Sequence, residues 1–143
     1  MIWQFASIAA LFACCGYALA FGGRPERIGA ALMIAALILT WIARTYFGTF
    51  YETADMAVIA VDASLLVGLI TLALLSNRYW PLWASGFHLV GTITHTALLG
   101  NSMIAPIAYA HTLGLWYYLT LLSLLIGAIN HHRLNRAEKP RLP

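Results

Sequence analysis

The sequence predicts an all-α membrane bundle of five transmembrane helices, N-terminus out and C-terminus cytoplasmic, on three observations. Apolar stretches long enough to cross a bilayer follow one another through almost the whole chain. Charged residues make up only 9% of the 143 positions, against roughly 25% in a soluble domain. Lys and Arg fall on alternate sides of the stretches, which is how cytoplasmic loops are marked. The predicted spans are 2–21, 28–47, 55–75, 82–99 and 104–129, in one domain covering 1–130, followed by a basic cytoplasmic tail over 131–143.

The first span, Ile2 to Phe21, has the roughly 20 residues that a hydrocarbon core of about 30 Å requires. Ala18-Leu19-Ala20 resembles a signal-peptide cleavage site, but no basic residue precedes the apolar run and Arg24 and Arg27 follow it. It therefore reads as a retained helix. Gly22-Gly23 ends it, and Arg24-Pro25-Glu26-Arg27 makes a tight turn in which Pro25 suits a first helical turn and Glu26 complements its dipole. The second span closes near Phe47. Phe50-Tyr51-Glu52-Thr53 then reads as an interfacial loop, and Asp55 opens the third span.

Ser76-Asn77-Arg78-Tyr79-Trp80-Pro81 is the clearest loop, with Pro81 placed to start the fourth span. Gly100-Asn101-Ser102 makes the next turn, and Pro106 stands at the beginning of the fifth span. An odd number of spans puts the tail on the side of the first and third loops. Those places hold Arg24, Arg27, Arg78, Arg133, Arg136, Lys139 and Arg141, and only Arg44 lies toward the other side, near Glu52 and Asp55. Four or six spans would break that sorting.

The basic balance, +3 overall, is thus explained by topology, and no nucleic-acid partner is implied. A mean hydropathy of +0.79 points to the cell membrane, the inner membrane for a bacterial source. Cys14 and Cys15 are adjacent, without the spacing of a redox or zinc motif, and read as small packing residues. There is no His-Glu-x-x-His, no phosphate-binding glycine loop and no nucleophile with its base, so the reading leans away from an enzyme.

Ionisable residues inside a span cost about 2.5–3.5 kcal/mol at the bilayer centre on insertion scales, so each is a functional candidate. These are Asp62, His88, His95 and His111. Counting 1.5 Å per residue from the outer ends of these helices, at Asp55, Leu99 and Pro106, puts Asp62, His95 and His111 about 10, 6 and 8 Å below the outer surface. Three successive helices thus deliver them to one depth, where an outer-leaflet cluster can form. His88 and His95 are two turns apart on one face, with Thr92 beside them.

Three classes of function fit. The first is a proton- or ion-handling unit, transporter-like or an accessory subunit, with Asp62, His95 and His111 titrating. The second is a structural or assembly subunit whose polar residues set helix register and whose partner is another membrane protein or a second copy. The third is a redox subunit with haem or a transition metal on His95, His111 and Asp62, although no cofactor is the favoured reading. Arg44, Glu52 and Asp55 are placed at the rim of an outward pocket. Trp116-Tyr117-Tyr118, near mid-span, pack the core or contact a flat apolar ligand such as a quinone or porphyrin. Ala31 with Ala35, Ser64 with Gly68, and Gly86 beside Ala84 are the expected close-approach faces.

Overall fold

A computed structural model describes the backbone of residues 2–47, 51–97 and 106–138; the side chains of 2–4, 47, 51–55, 95, 97 and 106–113 lie outside the description. Five helices occupy it: α1 Ile2–Phe21, α2 Arg24–Phe47, α3 Tyr51–Leu75, α4 Trp80–Ala97 and α5 Pro106–Glu138. No strand occurs among the described residues. Among the described residues, two stretches, Arg24–Tyr46 and Met56–Leu75, are long and apolar enough by length and composition to cross a membrane, and Phe5–Phe21 within α1 is a shorter apolar stretch.

Helix starts follow the proline chemistry. Pro25, Pro81 and Pro106 are the second, second and first residues of α2, α4 and α5, where a missing N–H breaks no intrahelical bond. At the α1 end the Gly22 N–H bonds the Ala18 carbonyl at 2.9 Å, and the Arg27 N–H reaches Gly23 O at 3.0 Å. The Ser76 N–H similarly closes α3 on Leu72 O at 3.0 Å.

Three boundaries differ from the sequence reading. α2 begins at Arg24 rather than at residue 28. α3 begins at Tyr51, so Tyr51-Glu52-Thr53 is helix, not loop, and α5 continues through His131 to Glu138, turning most of the expected tail into helix. Hydropathy marks where a helix becomes polar, whereas its backbone hydrogen bonds continue into the polar segment.

Each helix packs on its chain neighbours, α1 also packs on α5, and α2 touches α5 across the middle, so the five form a closed ring in chain order. Every helix buries only one narrow stripe. Leu11, Cys15 and Ala18 represent α1, Ala30 and Met33 α2, Leu69 and Leu72 α3, Trp80 and Ala84 α4, and Leu121, Leu124 and Ala128 α5. These spacings of three and four residues are one helical face, and the alanines let backbones approach. Cys15 is fully buried there, and both cysteines are free.

Of the expected close-approach faces, Ala84 is fully buried and Gly68 lies against Leu32 of α2, whereas Ala31, Ala35, Ser64 and Gly86 are exposed. A further close approach has the Trp80 indole slotted between Gly29 of α2 and Gly127 of α5. A methyl group added at either glycine would collide with the ring.

Candidate functional site

A cavity of about 210 Å³ sits inside the ring, and all five helices wall it. Its apolar lining includes Leu11, Met33, Leu37, Leu65 and Leu121; its polar lining is Thr40, Asp62, His88, Tyr117 and Thr120. The ring closure creates this arrangement, because α3 and α4 are neighbours and each turns its mid-helix ionisable residue toward the same space. Asp62 is near the middle of the 25 residues of α3, and His88 is near the middle of the 18 of α4.

His88 is held across that helix pair. Its Nε2 lies 3.0 Å from the backbone carbonyl of Asp62. A carbonyl only accepts, so Nε2 carries a proton and donates it to that oxygen. The Thr92 hydroxyl donates to His88 O at 2.9 Å, and the Thr120 hydroxyl to Trp116 O at 2.9 Å. Both satisfy their hydroxyl protons inside their own helices.

The aromatic triplet divides. The Tyr117 hydroxyl donates to Ser7 O at 3.2 Å, and the Tyr118 hydroxyl lies 3.0 Å from Ser7 Oγ, so both fasten α5 to α1. Only Tyr117 lines the central cavity; Trp116 stacks on Phe87 with ring centroids 6.4 Å apart. The Trp116 Nε1 is buried, with no hydrogen-bond partner among the described residues.

The structure therefore brings Asp62 together with His88. The side chains of His95 and His111, the other members of the expected cluster, lie outside the described residues, as do those of Glu52 and Asp55. Because α3 starts at Tyr51 rather than at residue 55, Asp62 stands near the middle of that helix. Arg44 is exposed in the last turn of α2 and lines neither this cavity nor the grooves on α4 and α5. Among the described residues no group of three or more His, Cys, Asp or Glu side chains is arranged to hold a metal ion.

Thr40 and Thr120 were missed as cavity residues. Met33, Leu37 and Thr40 share one face of α2, and Tyr117 and Thr120 share one face of α5, so helical spacing carried that signal. A second polar cluster was missed at the basic end, where the α1–α2 turn, the α3–α4 loop and the end of α5 converge. Glu26, in the first turn of α2 as expected of a partner of the helix dipole, is fully buried and accepts the Trp80 indole N–H at 3.0 Å. Its Oε2 has no hydrogen-bond partner among the described residues. Arg78 Nη2 donates to His131 Nδ1 at 3.0 Å, and His132 meets Phe21 edge-on at 4.9 Å.

Comparison with family models, with curated proteins and with solved structures finds no match for this chain, so its site must be read from its own geometry.

Proposed function

We propose that the chain is an integral membrane protein whose five helices all cross the bilayer, N-terminus out, and that its central cavity handles protons or small cations through Asp62 and His88. Exposed apolar surface supports the membrane reading. Only 22% and 17% of the apolar windows of α2 and α3 are buried in the bundle. Trp41, Leu74 and Leu75 are 72%, 80% and 82% exposed. A core helix of a soluble protein would hide such surface, whereas lipid covers it without cost. The basic end then faces the cytoplasm.

The observation that carries the functional reading is a carboxylate and an imidazole lining one cavity at the middle of such a bundle. Ionisable side chains at that depth are expensive, and they are retained where they line an ion or proton route. Imidazole ordinarily changes charge between pH 5 and 8, which suits it to relay a proton. In this reading Asp62 holds the cation or proton, His88 exchanges it through Nδ1, and Thr40 and Tyr117 line the way.

The test is flux into liposomes that hold the purified protein and a pH-sensitive dye. Asp62→Asn is expected to abolish the protein-dependent signal, and His88→Gln to reduce it while the glutamine amide keeps a donor toward α3. Wild-type flux no greater than that of empty liposomes, or unchanged flux in both variants, would refute the proposal. The His88 bond to the Asp62 carbonyl favours a second reading, an assembly subunit in which polar contacts fasten helices. It predicts lower thermal stability or lost partner capture in the same variants and no flux.

A further inference from the structure

A groove of about 610 Å³ runs along the outside of the α4–α5 pair and changes character along its length. Asn77, Arg78 and Asn130 line its basic end, and Trp83, Phe87 and Leu122 line the stretch that runs toward the bundle middle. α4 leaves the Arg78 loop and α5 returns to it, so polar and apolar linings are ordered by the helices themselves. No acidic side chain lines the groove. Its volume falls within the range of roughly 300–1,000 Å³ typical of small-ligand sites.

We infer that this groove seats one anionic phospholipid of the cytoplasmic leaflet, its phosphate at Arg78 and one acyl chain along Trp83, Phe87 and Leu122. Charge complementarity selects the occupant. Arg78 is half-buried and oriented by its bond to His131 Nδ1, and a guanidinium keeps further N–H groups to fork onto phosphate oxygens. The Asn77 and Asn130 amides add donors beside it. Arg133 and Arg136, exposed on the next turns of α5, extend the positive field over the headgroup. That field favours a lipid with net negative charge over a zwitterionic one. Phe87 and Trp83, with ring centroids 6.2 Å apart, form a continuous apolar wall for the chain.

The inference rests on the membrane reading and is independent of the Asp62–His88 proposal. Sodium carbonate extraction of membranes comes first: retention in the pellet is expected, and release would overturn the membrane reading and this inference together. Native mass spectrometry of the detergent-purified chain with added phosphatidylglycerol or phosphatidylcholine then tests the groove alone. Phosphatidylglycerol should be retained with roughly fivefold preference, the scale of one basic residue near an anionic lipid surface. Arg78→Gln should remove that preference. Leu122→Trp, which fills the groove and leaves Arg78 in place, should lower retention of both lipids. Equal retention of the two lipids by the wild type, or undiminished phosphatidylglycerol retention in both variants, would overturn the inference. So would dimers that Leu122→Trp converts to monomers without any lipid preference, which would assign the groove to a second copy of the chain.

Discussion

Trp80→Ala is expected to destabilise the bundle by about 3–5 kcal/mol, the range for deleting a large buried aromatic side chain. Trp80 is 6% exposed and ties α4 to two other helices, α2 and α5, since its ring fills the slot between Gly29 and Gly127 and its N–H satisfies Glu26. Trp80→Phe separates the two contributions. It keeps most of the packing but leaves a buried carboxylate oxygen without its donor, at about 1–3 kcal/mol. Gly127→Ala should cost a similar amount, about 1–3 kcal/mol, by driving a methyl into the indole. In a Trp80→Ala background that penalty should disappear, because the slot is empty and alanine is the better helix former by about 1 kcal/mol. Thermal and denaturant unfolding in detergent give all four values. Additive costs for the pair would show that Gly127 and Trp80 do not meet, since uncoupled sites add within about 0.5 kcal/mol.

Labelling of single cysteines from one side of the membrane should give an all-or-none pattern. In a background with Cys14 and Cys15 replaced by Ala, Asn77→Cys and Asn135→Cys are expected to react with an impermeant maleimide only from the cytoplasmic side. Thr49→Cys and Asn101→Cys should react only from the opposite side. Asn101 decides the number of spans. If only α2 and α3, the two helices that satisfy length and composition among the described residues, crossed the membrane, everything after Leu75 would stay on one side and Asn101 would label with Asn77. That outcome would reduce the five-span reading to two. The difference has a physical origin: α4 carries Ser85, His88, Thr92, Thr94 and Thr96. Their hydroxyls bond carbonyls of α4 itself and His88 bonds α3, so the polar groups that lower its hydropathy have partners within α4 or on α3.

Element existence was legible because helix formation in apolar runs is a local property. Gly22-Gly23, Pro25, Pro81 and Pro106 mark real ends or starts, and Leu11, Cys15 and Ala18 follow the helical period that a buried stripe requires. The site was legible only in part. Asp62 and His88 stood out as ionisable residues in apolar surroundings and were placed in one cluster with His95 and His111, whose side chains lie outside the described residues. Glu26 shows the limit more clearly. A carboxylate in the first turn of a helix reads as a partner of its dipole, and nothing within its own helix announces that an indole 54 residues away covers it. Arg78 and His131, 53 residues apart, became partners by the same closure.

What this sequence determined by itself is the succession of five helices and the gathering of its basic residues at alternate junctions. Transfer free energy and backbone hydrogen bonding act residue by residue along a segment and sum over it, so no distant residue is needed to state them. Only the tertiary structure decided which stripe of each helix turns inward, and with it that Asp62 and His88 share a cavity, that Glu26 is buried and that Arg78 heads a groove. The rotation of one helix about its axis changes no local energy appreciably. It is set when five faces must interlock at once, and the small residues at Gly29 and Gly127 permit the approach that locks them around Trp80.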